Sequence, residues 1–174
     1  MLPNFNFNDF NFSEKEFLER EVRILFDKGD KLAFQKATQG HFKGYPKCSY
    51  MLACCYVDGI GVGINNSEAN KLFDACYEGL VLEANNDNDA ISMGFLGEYY
   101  KYGLGSYQVD LKKAIYWYER AANEGIAECK FFLGEMYLDK NNPFYDRDLA
   151  YKWFQRASSQ GLEEATKIVK NWKK

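Results

Sequence analysis

The sequence predicts an all-α chain, a right-handed α/α solenoid of stacked helix-turn-helix units, on three observations. The stretch from Ser92 to Gly125, SMGFLGEYYKYGLGSYQVDLKKAIYWYERAANEG, holds two amphipathic helical patterns separated by a glycine-broken turn. The pattern recurs: the starting positions Ser92, Cys129 and Ala165 are 129 − 92 = 37 and 165 − 129 = 36 residues apart, and a fixed period of about 20–50 residues marks a stacked-repeat architecture. Composition agrees, since 47% hydrophobic residues, with 17% aromatic overall, suit a buried core and not a disordered chain. One helical hairpin cannot bury its own apolar face, so copies must stack.

The chain taken in order supports this reading. Residues 1–12, MLPNFNFNDFNF, place Phe5, Phe7, Phe10 and Phe12 among polar residues. With no basic start and no continuous apolar run, this stretch does not read as a secretory leader. It reads as an extended arm whose rings pack on the first helices or dock on another chain. Residues 13–174 form the solenoid domain. Within them, 13–44 are a helical cap or divergent repeat. Ser13 and Glu16 form a capping box, hydroxyl at the N-cap and carboxylate three residues on, opening a helix through Phe17, Leu18, Val22, Leu25 and Phe26 that stops near Gly29. A second helix, Lys31 to Gln39, is expected to end at Gly40.

The first clear repeat is 45–79, with Cys48, Leu52-Ala53, Tyr56, Gly59 and Gly61, then Asn65 in the N-cap place, Ala75-Cys76 set against Ala121-Ala122, and Gly79. The next interval is longer, 92 − 48 = 44 residues. The excess, LVLEANNDND at 80–89, reads as an exposed acidic insertion. The second repeat is 90–125. Ser92, Leu96 and Tyr100 share one helical face; Gly103 and Gly105 stop that helix; Asp110 caps the next, whose Ala114, Trp117 and Ala121 share a face. The third repeat, 126–161, carries Leu133-Gly134, Tyr137, Asp146, Ala150, Trp153, Ala157 and Gly161 in the same places. Its turn has Asp139-Lys140-Asn141-Asn142-Pro143 in place of glycines, and Asn tolerates the left-handed conformation, so a distorted turn with a left-handed Asn is expected. Residues 162–174 restart a first helix, with Ala165 and Val169 in the small and leucine places, and no second helix follows. This reads as a C-terminal capping helix with a solvated basic end, since lysines suit a helix C-terminus.

Leu-Gly-x-x-Tyr-x-x-Gly-x-Gly, then Asp-x-x-Lys-Ala-x-x-Trp, then Ala-Ala-x-x-Gly, as they stand in the second repeat (LGEYYKYGLG, DLKKAIYW, AANEG), resemble the Sel1-like repeat family of tetratricopeptide-type helical hairpins. The resemblance covers Cys48 to Ala165. It implies a protein-binding chain acting as adaptor or inhibitor, and not catalysis.

The residues themselves point the same way. His41 is the only histidine, is expected just beyond a helix-ending glycine, and has no nucleophile near it in sequence, so no catalytic residue is assigned. GIGVG at 59–63 follows a helix and lacks the Lys-Ser/Thr of a phosphate loop, so no cofactor is expected. The five cysteines have neither zinc nor redox spacing, and Cys48, Cys76 and Cys129 read as small packing residues, so no metal is expected either. No apolar run is long enough to span a membrane. These features together give a cytoplasmic reading. A net charge of −3 argues against direct nucleic-acid binding.

What remains is a surface. In stacked hairpins the first helices line one face, and helical geometry about Leu52, Leu96 and Leu133 sends three sets of residues toward it. The first is Lys47, Tyr50, Cys54, Val57 and Asp58. The second is Ile91, Gly94, Glu98, Lys101 and Tyr102. The third is Glu128, Phe131, Glu135, Leu138 and Asp139. The partner-binding set drawn from these is Tyr50, Asp58, Glu98, Lys101, Tyr102, Glu128, Phe131, Glu135, Leu138 and Asp139. Between Cys48 and Asp139 there are fourteen acids and six bases, 6 − 14 = −8, so the negative charge is concentrated mid-chain. An acidic groove with aromatic anchors suits a basic protein partner, charge steering the encounter and aromatics supplying the strong contacts. The most concrete form is an immunity protein that neutralises a cognate, basic toxin. The alternatives are an adaptor recognising a peptide and, least supported, an enzyme. Oligomeric state is open.

Overall fold

The computed structural model describes residues 13–172. The expected phenylalanine arm at 1–12 and the final two lysines lie outside the described residues. Among the described residues there are nine α-helices and no strand. The chain divides into two compact units, Met1–Cys76 and Tyr77–Lys174.

The first unit contains α1 (Glu14–Asp27), α2 (Leu32–Phe42), α3 (Pro46–Asp58) and the first half of α4 (Asn66–Asn86). The capping box forms as the spacing requires: the Glu16 amide donates to Ser13 Oγ at 3.2 Å and the Ser13 amide to Glu16 Oε2 at 2.8 Å. Leu18 and Val22 on α1 and Ala33 and Ala37 on α2 are buried. Here α2 departs from expectation. It does not stop at Gly40 but runs on to Phe42. Gly40 lies inside the helix because the Cys48 side chain of α3 occupies the space a Cβ would need. Gly44, with φ +77°, makes the turn instead.

The second unit holds the rest of α4, then α5 (Ala90–Tyr102), α6 (Leu111–Asn123), α7 (Ala127–Leu138), α8 (Arg147–Ser159) and α9 (Glu163–Asn171). Residues 80–86, expected as an exposed insertion, are instead the last turns of α4. Leu80 and Ala84 are fully buried, and Glu83 is 6% exposed. The surplus over the later 37-residue spacing is 44 − 37 = 7 residues, about two helical turns, so α4 lengthens without rotating its buried face. Glu83 accepts a 2.7 Å hydrogen bond from the Ser92 hydroxyl. Arg120 of α6 donates to the Ala84 carbonyl at 2.9 Å and to Asn85 Oδ1 at 2.8 Å. A buried acid among apolar neighbours needs a donor such as the Ser92 hydroxyl.

Three hairpins share one construction. The amide of the residue preceding each second helix donates to the carbonyl of the tyrosine near the end of the first helix: Asn65 to Tyr56 at 2.9 Å, Asp110 to Tyr100 at 2.8 Å, and Asp146 to Tyr137 at 2.8 Å. The same three side chains cap the helices they precede, accepting from the amides of Glu68, Lys113 and Leu149 at 3.1, 3.0 and 2.9 Å. In the first two hairpins the first helix ends on a left-handed glycine, Gly59 at φ +72° and Gly103 at φ +65°, where a Cβ would cost energy.

The third turn is built differently from the expectation. Neither Asn141 nor Asn142 is left-handed, and α7 leaves through an extended Asp139. The buried Asn142 amide instead donates to the Met136 carbonyl at 2.9 Å while its Oδ1 accepts from the Phe144 amide at 3.0 Å. A side-chain amide thus satisfies the helix-end carbonyl that a glycine turn satisfies elsewhere.

The two helices of each later hairpin meet at a glycine. A Cβ at Gly97 would overlap the Tyr118 ring, with Tyr118 Cε1 2.5 Å away, and one at Gly134 would lie 2.7 Å from Phe154 Cε1. Tyr118 and Phe154 are fully buried. In α4 the matching buried series is Ala69, Leu72, Phe73 and Cys76, spaced as Ala114, Trp117, Tyr118 and Ala121 are. Ala75 is exposed, so the expected match of Ala75-Cys76 with Ala121-Ala122 is off by one residue. Trp172, just past α9, closes the last helices by resting near Tyr151 and Phe154, at 5.2 and 6.0 Å between ring centroids.

Replacing Gly97 or Gly134 with alanine is predicted to lower stability. The forced overlap costs about 1–3 kcal/mol, against a helix-propensity gain of about 0.5–1 kcal/mol. Denaturant unfolding followed by circular dichroism should show the loss for both variants. Unchanged or increased stability would contradict the glycine–aromatic contact.

Candidate protein-binding surface

In the second unit the C-terminal ends of α5 and α7 come together beside the start of α6. They enclose a cleft of about 370 Å³ lined by Lys101, Tyr102, Leu111, Glu135, Met136, Asp139 and Asn142. Four of the ten residues expected from sequence thus meet at one place. Tyr102 closes α5 and is 58% exposed. Lys101 Nζ lies 3.8 Å from Glu135 Oε2, with side chains 19% and 47% exposed, and 5.0 Å from the centroids of both the Tyr102 and Phe132 rings. Glu135 and Asp139 against Lys101 leave the cleft with one surplus negative charge. Two helix ends add to it, because α5 stops at Tyr102 and α7 at Leu138, and the C-terminus of a helix carries about half a negative charge. No basic residue sits in the last turn of α7 to offset this.

The other six expected residues are elsewhere. Tyr50 is corrected: it is 2% exposed, its ring 5.3 Å from that of Phe73, because the first-helix face at that position is turned onto α4. It offers no surface. Asp58 is exposed at the end of α3 in the first unit. Glu98 is half-buried in α5, and Leu138 half-buried at the end of α7. Phe131 is half-buried, its ring 5.4 Å from Phe154 and 6.3 Å from Phe132, so packing takes much of it. Glu128 is exposed in the first turn of α7, about 15 Å along the helix from its far end. Of the remaining groove positions, Gly94 is buried beneath Cys129, whose Sγ is 3.2 Å from where its Cβ would be. Lys47 pairs with Glu19 at 3.0 Å.

Reasoning from the first helices alone missed Leu111, Met136 and Asn142. Leu111 follows the Asp110 cap and enters from the second helix. Asn142 comes from the turn, and the missing glycines there were the available signal. Phe132, under Lys101, was also missed.

His41 lies inside α2, not beyond it, with Nδ1 2.9 Å from Ser49 Oγ. Ser49 is 6% exposed, and its hydroxyl donates to the Tyr45 carbonyl at 3.2 Å. A hydroxyl so placed is engaged with its own helix. All five cysteines are thiols, and four are buried. Burial first, and the Asp58 carboxylate second, push Cys55 up to about 11, the opposite of an activated nucleophile. Among the described residues no cluster of His, Cys, Asp or Glu could hold a metal ion, and no helix is long and apolar enough to cross a membrane.

The hairpins with their tyrosine clamp and glycine contact define a helical-repeat scaffold, and comparison with known proteins gives its kind. The Sel1 repeat model matches residues 46–75, 90–126 and 127–162, more than half of the chain. The chain therefore belongs to the Sel1 repeat family, and its fold is an all-α solenoid of helical repeats, a scaffold for protein–protein interaction. It is similar to an exopolysaccharide production negative regulator of Rhizobium meliloti (strain 1021), 31% identical over 137 residues, covering 74% of this chain and 50% of that protein. The chain thus spans about half the length of that relative. Among solved structures it is similar to a protective antigen of uropathogenic Escherichia coli strains displaying an SLR fold, with TM-score 0.60 and 20% identity, covering 90% of this chain and 33% of that one. It is also similar to a Sel1 repeat protein from Oxalobacter formigenes, with TM-score 0.55 and 24% identity, covering 90% and 63%. These two likenesses bear on the fold.

Because its protonated form is favoured in the fold, Cys55 holds its proton to higher pH than an ordinary thiol. Its contribution to stability is full below pH 9 and is lost as pH rises through about 11, since the unfolded state then binds fewer protons. At pH 8 the native Cys55 is predicted to resist an alkylating reagent that labels it fully in denaturant, read by mass spectrometry. Rapid native labelling would contradict its placement.

Proposed function

We propose that this chain is a non-catalytic binding protein whose partner is a protein presenting basic residues to the α5–α7 face of the second unit. The observation that carries the reading is the exposed Tyr102 ring set at the mouth of a cleft walled by Glu135 and Asp139. An aromatic anchor beside acidic groups is the composition of a strong interaction site. Glu98, Glu128, Phe131 and Leu138 would extend the contact along the same helices, and the surplus of acids between Cys48 and Asp139 would steer a basic partner toward it.

Two forms of this activity differ in partner. In the first, the chain is an inhibitor that covers a folded, basic protein, as an immunity protein covers a toxin. The mid-chain charge supports it. In the second, the chain is a regulatory adaptor that holds a peptide or a component of a signalling complex. The likeness to a negative regulator supports that form. Either form fits work in the cytoplasm, where five thiols stay reduced.

A photo-crosslinking amino acid at position 102 in cells of the source organism tests the reading. A discrete protein adduct is expected. It should fall about tenfold on Glu135→Lys with Asp139→Lys, and it should not form from a crosslinker at the still more exposed Ile64 of the first unit. A folded enzyme in the adduct selects the inhibitor form, and a flexible segment selects the adaptor form. Adducts indifferent to the charge reversals would overturn the reading.

A further inference from the structure

The cleft already holds a cation of its own. Lys101 reaches across from α5, placing its ammonium between the Glu135 carboxylate, 3.8 Å away, and the faces of Tyr102 and Phe132, each 5.0 Å from it. It is the one basic residue on the wall, and its side chain is 19% exposed although the residue begins at a helix end beside solvent.

We propose that the cleft is a receptor for a partner's arginine side chain and that Lys101 is a built-in competitor that a guanidinium displaces; this rests on the protein-binding reading above and names the group recognised. Four features of the wall match that group. The exposed Tyr102 ring offers a face on which a planar guanidinium stacks, the geometry in which arginine exceeds lysine. Glu135 and Asp139, one turn apart on α7 and just past it, offer carboxylate oxygens for its fork of N–H donors. Leu111, half-buried at the start of α6, offers apolar surface to its methylene stem, with the buried Met136 behind it. The C-terminal ends of α5 and α7 place partial negative charge at the same spot. A volume of about 370 Å³ admits a whole side chain. Lys101 satisfies part of this site in the absence of a partner. As an ammonium it takes the ring faces and one carboxylate but cannot pair in the bidentate way a guanidinium does. When the guanidinium enters, the flexible lysine swings out to water, where its charge is fully solvated. The competitor lowers affinity for every cation, and a guanidinium, with its bidentate pairing, overcomes it better than a second ammonium does.

The capped peptide Ac-Gly-Ala-Arg-Ala-Gly-NH2 is the probe, titrated into the full chain and followed by amide chemical shifts in two-dimensional NMR. Shifts are expected at residues 101–102, 111, 135–136 and 139–142. The citrulline version of the peptide, uncharged but of the same shape, should bind at least tenfold more weakly, and the lysine version several-fold more weakly. Lys101→Met should tighten arginine-peptide binding about three- to tenfold, whereas Glu135→Gln with Asp139→Asn should abolish it. Citrulline binding equal to arginine, shifts centred elsewhere, or weaker binding by Lys101→Met would each overturn the proposal. Unaltered helical content by circular dichroism shows that the variants are folded. If the peptide fails while the crosslinked adduct from position 102 still forms and still depends on Glu135, the arginine assignment falls and the protein-binding reading stands.

Discussion

The close approach of two helices at a glycine is the constraint on which the second unit depends. How near two packed helices come is set by the side chains at their crossing point. Gly97 and Gly134 remove those side chains, and the rings of Tyr118 and Phe154 fill the space a Cβ would take. The bulky residue then sits on the second helix only, fully buried, and the small one opposite it on the first. Large opposite small, repeated, is what fixes one register. A second large residue in place of either glycine would push the helices apart.

Holding the hairpins this tightly has a consequence at their ends. The amide that clamps each second helix to the carbonyl of Tyr100 or Tyr137 draws the start of that helix alongside the end of the first. The last residues of α5 and α7 therefore face the first residue of α6, and the cleft is their common boundary. Met136 and Asn142 there are buried, whereas Tyr102, Glu135 and Asp139 are exposed. The core positions earlier on the same helices, Leu96, Tyr99 and Leu133, are fully buried. The scaffold is thus closely packed where it is apolar and open to solvent at the exposed polar side chains.

Much of this architecture could be read from the residues. Helix-capping side chains at Ser13, Asp110 and Asp146, the left-handed Gly59 and Gly103, and the repeat spacing all follow from local chemistry that needs no tertiary knowledge. The misreadings share a cause, which is that tertiary contact overrode a local signal. Gly40 looked like a terminator, but its missing side chain makes room for Cys48. The acids at 80–89 suggested solvent, which holds for Asp87, but Glu83 is buried with Ser92. Asn142 was expected to copy a glycine's backbone, but its side chain did the work. Of the candidate site, Lys101, Tyr102, Glu135 and Asp139 were legible because they repeat at fixed offsets from a buried leucine. Tyr50 failed the same rule because α4 covers that position, and no offset along one helix reports what another helix covers. Leu111 and Asn142 lie outside the first helices, so the rule had no access to them.

The account is tested most directly by proton NMR at the two glycines. An Hα packed on the face or edge of an aromatic ring shows a through-space contact to that ring and a displaced resonance. The account predicts both effects for Gly97 with Tyr118 and for Gly134 with Phe154, at similar strength, because the two hairpins are built alike. A helical chain whose Gly97 and Gly134 protons show neither contact would contradict it.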